Sequence, residues 1–170
     1  MYIAIEGVIG VGKTTLARLL KKSFEADLLV EVFEENPFLI ADYTFAKDML
    51  FARINISGDE LDMYYRVHEA LAEKIPLPDL IVYLRADTDV LMQSIAMRDR
   101  PYERDMERAY IAGLNEAYED FFDDYYRGVP VLPIDTDQIN IVSDEGHRAQ
   151  VEAQIRAALA SAPRQSELPL

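Results

Sequence analysis

The chain contains no cysteine, which excludes a disulfide framework, a thiolate metal site and a cysteine nucleophile. Histidine is almost as scarce. With only His68 and His147 present, a multi-histidine metal centre or a Ser-His-Asp triad is not expected, so the chemistry must rest on carboxylates, hydroxyls, lysine and arginine. Basic residues are outnumbered, 17 Lys+Arg against 31 Asp+Glu for a formal charge of -14, and such a surface repels polyanions. Neither nucleic acid nor an anionic membrane is an expected partner. No apolar run approaches the roughly 18 to 20 residues that span a bilayer, and the first residues lack a basic segment followed by a long apolar one. The chain reads as mature, soluble and cytoplasmic.

What is present suits a compact fold. Half of the 170 residues are hydrophobic, 28% are charged and the mean hydropathy is -0.08; at roughly 100 to 200 residues per domain, residues 1–170 form one domain. No repeat or low-complexity tract interrupts it. Strand and helix patterns alternate: an apolar run at 2–6 ending at Gly7, a helical stripe through Leu16, Leu19, Leu20 and Phe24, strands at 28–32 and 38–41, and a helix at 59–74. On that helix His68 reads as a packed core residue. Leu80 to Leu84 is the near-continuous apolar run of a strand buried on both faces. Asp87 then caps a helix running into the arginines, a long helix carries an aromatic stripe from Tyr110 to Tyr125, and a last strand at 131–134 precedes a helix at 144–159. This order predicts an α/β fold, a parallel sheet of about five strands with helices on both faces.

Gly7-Val8-Ile9-Gly10-Val11-Gly12-Lys13-Thr14 fits the phosphate-loop pattern G-x-x-x-x-G-K-[ST] and lies between a strand and a helix, where the mechanism needs it. Backbone amides of Gly7 to Thr15 turn toward phosphate oxygens, the helix N-terminus adds positive potential, Lys13 reaches the β and γ phosphates, and the Thr14 hydroxyl ligates magnesium. The expected ligand is therefore a nucleoside triphosphate with Mg2+. Four of the 17 basic residues, Arg98, Arg100, Arg104 and Arg108, fall in one 11-residue window. Arg98 and Arg100 are candidate lid residues closing over the transferred phosphoryl group; Arg104 and Arg108 read as a solvated helix face. Two carboxylates occupy strand ends beside the loop, where an acceptor hydroxyl is oriented: Glu31 and Asp42.

Taken together, these residues resemble the deoxynucleoside kinase family, in particular its bacterial deoxyguanosine and deoxyadenosine kinase branch. IAIEGVIGVGKTTLA resembles the family's phosphate loop, EVFEENPFL its acidic segment after the second strand, ADYTFAKDMLFA its acidic motif after the third, and RDRPYERDMERAYIAGLNEAYEDFF its lid and following helix. The resemblance implies a P-loop fold and ATP-dependent phosphorylation of the 5'-hydroxyl of a deoxynucleoside, with a purine favoured. It implies that Glu31 is the general base, that Asp42 positions magnesium or, in another reading, takes the proton, and that Tyr43, Asp48 and Glu103 lie around the sugar. It also implies that residues 135–139 lie against the adenine of ATP and that the protein is a homodimer, for which the Tyr110 to Tyr125 stripe is a candidate surface. The family often carries arginine where this chain has Tyr43. It also carries a few dozen residues between the positions of Leu39 and Ile40 that are missing here, and a crossover between parallel neighbours needs about 10 to 12 residues, so a hidden break near Ile40 is expected. The alternatives are a thymidylate or other nucleoside monophosphate kinase, against which Tyr43 argues, and a nucleotide-binding subunit without turnover.

Overall fold

The computed structural model describes residues 1–29, 39–42, 44–73 and 75–161. The segment 30–38, residues 43 and 74, and the tail 162–170 lie outside the described residues, and with them the expected base Glu31 and the sugar-side Tyr43.

Among the described residues five strands form one parallel sheet: β1 (Tyr2–Gly7), β2 (Asp27–Leu29), β3 (Leu39–Ala41), β4 (Leu80–Arg85) and β5 (Val131–Asp135), in the order β2-β3-β1-β4-β5. Adjacent side chains of a strand point to opposite faces. Ile3, Ala4 and Ile5 on β1 and Leu80 to Leu84 on β4 are all buried, so both faces of the central strands are covered, as the apolar LIVYL run predicts.

The helices are α1 (Lys13–Ser23), α2 (Ala46–Asn55), α3 (Asp59–Ala72), α4 (Thr88–Arg98), α5 (Arg108–Asp120) and α6 (Glu145–Ser161). Helix α1 packs on β1, β2 and β3 through Leu16, Ala17 and Leu20, whereas α6 packs on β4 and β5 through Val151 and Ile155. Helix α2 is the element that periodicity does not reveal: its ten residues, AKDMLFARIN, carry no apolar stripe, and Leu50 and Ala52 alone among them are buried.

Two expectations need correction. The aromatic stripe on α5 is internal: Leu114, Tyr118 and Phe121 are buried, and Tyr83 of β4 stacks among Tyr118 and Phe122 at ring separations of 6.3 and 4.6 Å. Burial against the sheet removes Leu114, Tyr118 and Phe121 from any subunit surface and leaves Tyr110, 53% exposed, at the outer end of the stripe. The break expected at Ile40 does not interrupt β3: Leu39, Ile40 and Ala41 occupy successive rungs opposite Tyr2, Ile3 and Ala4 of β1 and opposite Asp27, Leu28 and Leu29 of β2. The rest of the stretch in which it was expected, residues 37, 38 and 43, lies outside the described residues.

His68 is buried as expected, stacked on Phe45 at 4.1 Å with its Nε2 3.1 Å from the Phe45 carbonyl.

Candidate active site

The strand order reverses direction at β1, with β2 and β3 added on one side of it and β4 and β5 on the other. Ligands bind at such switch points, beyond the carboxyl ends of the strands. The Gly7–Thr14 loop emerges there. A Cβ at Gly7 would lie 2.5 Å from the Leu84 carbonyl oxygen, so glycine is what allows the start of the loop to lie against β4. Gly12 holds a φ of 102° immediately before α1, a left-handed conformation that aims the first helical amides into the loop.

Lys13 is half-buried, not solvent-facing, and its ammonium folds back over the loop to donate to the carbonyls of Gly7 at 2.7 Å and Val8 at 3.1 Å. Burial, helped by the nearby Lys47 ammonium, lowers its pKa to about 8, against the pull of Glu6 and Asp42. An ammonium in this state gains from an incoming anion. Beside it the Thr14 hydroxyl donates to Asp42 Oδ2 at 2.9 Å, joining the phosphate loop to the residue that follows β3. The two side chains expected to hold magnesium are therefore in contact.

Magnesium takes hard oxygen ligands, one or two from protein and the rest from phosphates and water. A threonine hydroxyl beside a carboxylate fits that demand. No group of three or more His, Asp or Glu suited to a metal occurs among the described residues, and none is needed by an ion that arrives with a nucleotide.

The two arginines expected in the lid stand opposite the loop. Arg98 closes α4 and Arg100 precedes the 3-10 turn Pro101–Glu103. Both are held by Glu103, which is 4% exposed: Arg98 donates to one carboxylate oxygen at 2.9 Å and Arg100 lies 3.6 Å from the other. A cavity of about 470 Å³ opens between Gly12, Lys13, Thr14, Arg98, Arg100 and Glu103. The loop and the R-x-R pair thus share one space. Arg104 and Arg108 make exposed pairs with Asp99 and Asp89, as the solvated-face reading predicts.

A second cavity of about 520 Å³ lies between Gly10, Gly12 and Thr15, helix α4, and residues 136–142. Its outer wall is fixed to the sheet: the Thr136 amide and hydroxyl both donate to the Arg85 carbonyl at 2.8 Å, and the Asp87 amide donates to Asp137 Oδ1 at 2.7 Å. Asp87 sits at the N-cap of α4 but makes no capping bond with its side chain.

Two polar groups escaped the sequence reading. Glu6, the last acid of β1, is fully buried beside the loop, and its Oε1 accepts the Thr44 amide at 2.6 Å. Lys47, in the first turn of α2, places its ammonium 3.9 Å from Glu6 Oε2. Burial pushes the Glu6 carboxyl up to about 7, opposed by Lys47 and Lys13. The available signal was an acid inside an apolar strand covered on both faces. Asp48, also on α2, is half-buried near Tyr64, whose hydroxyl pKa is raised by burial first and by the Asp48 charge second.

Comparison with known proteins gives this geometry a family. The family model described as deoxynucleoside kinase matches residues 33–160. The chain is 27% identical to a deoxyguanosine kinase of Bacillus subtilis (strain 168), covering 91% of this chain and 96% of that protein. It is 28% identical to a deoxyadenosine kinase of Dictyostelium discoideum, over 78% and 71% of the two chains. The structure of deoxyadenosine kinase from M. mycoides with bound dCTP superposes with a TM-score of 0.75 at 21% identity, covering 92% of this chain and all of that one, which establishes a common fold. In the Bacillus alignment 198 positions accommodate 91% of this chain, about 155 residues, so about 43 positions have no counterpart here. Since that family model matches residues 33–160, three quarters of the chain and β3 to β5 of the sheet, the chain belongs to the deoxynucleoside kinase family.

Proposed function

We propose that the protein transfers the γ-phosphoryl group of ATP to the 5'-hydroxyl of a deoxynucleoside, with a purine preferred, as a homodimer in the cytoplasm. The observation that carries the reading is the 2.9 Å contact of Thr14 with Asp42, beside Lys13 and across one cavity from Arg98 and Arg100.

The amides of Gly7 to Thr15 and the Lys13 ammonium hold the phosphates, and the cavity along residues 136–142 takes the adenine. Thr14 and Asp42 would hold Mg2+, which when bound neutralises charge on the phosphate oxygens. Glu31 accepts the proton of the 5'-hydroxyl. Tyr43, Asp48 and Glu103 face the sugar, and for Glu103 this requires Arg98 and Arg100 to leave its carboxylate for the phosphoryl group. Because phosphoryl transfer rests on positioning and electrostatics, these side chains need only hold still and present charge.

ADP release measured with each deoxynucleoside in turn tests the reading. Nucleoside-dependent release, fastest with a purine, is expected; release independent of every nucleoside overturns it. One observation favours a second reading, a nucleotide-binding subunit without turnover: the roughly 43 positions by which this chain falls short of the Bacillus relative. ATP binding without nucleoside-dependent ADP release would establish that reading instead.

A further inference from the structure

Glu6 stands at the seam between two halves of the proposed site. On one side is the phosphate loop, starting at its neighbour Gly7, whose carbonyl accepts the Lys13 ammonium. On the other is the segment that begins with Asp42 and continues through Thr44 into α2. A fully buried carboxylate is costly unless hydrogen bonds and a counter-charge compensate it. Its compensation comes from both sides, the Lys13 charge and the Gly7 backbone from the loop, and from the second segment the Thr44 amide at 2.6 Å on Oε1 and the Lys47 ammonium at 3.9 Å from Oε2. Oε2 accepts no hydrogen bond among the described residues.

Thr44 is two residues from Asp42 along the chain, so a fixed Thr44 amide limits where the Asp42 carboxylate can stand. Lys47 anchors the same segment one turn further on, with its ammonium 5.8 Å above the Phe51 ring. We infer that Glu6 is a positioning residue of the phosphoryl-transfer site, holding Asp42 against Thr14 through the Thr44 amide and the Lys47 ammonium. Its effect is on the spacing of the oxygens that receive the ion, as groups behind metal ligands commonly act.

The inference rests on the reading in which Thr14 and Asp42 hold magnesium, and its test separates the two. Binding of a non-hydrolysable ATP analogue is measured by calorimetry with Mg2+ and with chelator, alongside the Mg2+ concentration for half-maximal ADP release. Glu6→Ala is expected to raise the magnesium requirement by about tenfold, in the range seen when groups behind metal ligands are removed, while binding in chelator is unchanged. Glu6→Gln keeps an acceptor for the Thr44 amide, so its requirement should rise by no more than about threefold. Should Glu6→Ala not fold, Glu6→Asp withdraws the carboxylate from Thr44 by one methylene and should shift the requirement in the same direction. Asp42→Asn is the reference. If it shifts the requirement and no Glu6 variant does, the inference is overturned alone; if neither shifts it, the magnesium reading falls and takes the inference with it. Equal weakening with and without magnesium would likewise overturn it, since a general structural defect predicts that result.

Discussion

Replacing Glu6 by glutamine should stabilise the protein in neutral and alkaline solution and leave it nearly unchanged at pH 4.5. The folded carboxyl holds its proton up to about 7 because burial outweighs the Lys47 and Lys13 charges, against an ordinary value of 4.5. Between those two values the folded state keeps a proton that the unfolded chain has released, so stability falls as pH rises through this window. Each pH unit is worth about 1.4 kcal/mol, and the whole window about 3 kcal/mol, reached just above pH 7. Below 4.5 both states hold the proton and the loss vanishes. Glutamine has the shape of the protonated acid and cannot titrate. Urea unfolding of both proteins at pH 4.5 and 7.5 should therefore show the variant's advantage growing by about 3 kcal/mol between the two. A difference that is the same at both pH values would show that Glu6 ionises in the fold as easily as in water, and the account of its burial would be wrong.

Lys13→Ala should abolish phosphoryl transfer while circular dichroism stays unchanged, because the Lys13 side chain crosses the loop and not the core; measurable transfer would remove the loop from the chemistry. Glu31→Gln should lower kcat by about 10²-fold or more while ATP binding persists, and a larger loss in Asp42→Asn that added magnesium does not restore would exchange the two roles. Gly12→Ala meets no atom within 4 Å and should cost about 1 to 2 kcal/mol for its left-handed backbone alone. Gly7→Ala would drive a methyl into the Leu84 carbonyl at 2.5 Å and should cost more in urea unfolding; equal costs would refute the contact between loop and β4.

The phosphate loop was legible in the sequence because its chemistry is local: eight consecutive residues specify glycine turns, an ammonium and a hydroxyl. Strands β1 and β4 were legible because burial on both faces demands unbroken apolar runs. Glu6 was not, because a single acid at a strand end looks like the edge of the core until Thr44 and Lys47, 38 and 41 residues away in sequence, are brought against it. Helix α2 was hidden for a related reason, since it buries only Leu50 and Ala52 and so imprints no stripe. The α5 stripe could be read correctly as apolar, but whether a partner chain or its own sheet covers it depends on where β4 places Tyr83.

If Arg98 and Arg100 close over the transferred phosphoryl group as proposed, the double grip of Glu103 on them makes that closure an ion exchange. Two guanidinium groups left bare at the mouth of a phosphate site would attract any small anion and hold it where the γ-phosphate must go. Here a carboxylate belonging to the chain already occupies them, so an intruder must displace a buried, hydrogen-bonded competitor. Chloride, with a single charge and no directed lone-pair geometry, is poorly equipped to do so. A polyphosphate held at the same time by Lys13 and the loop amides, as proposed, is equipped to do so, and the carboxylate it releases would then be free for the sugar contact proposed for Glu103.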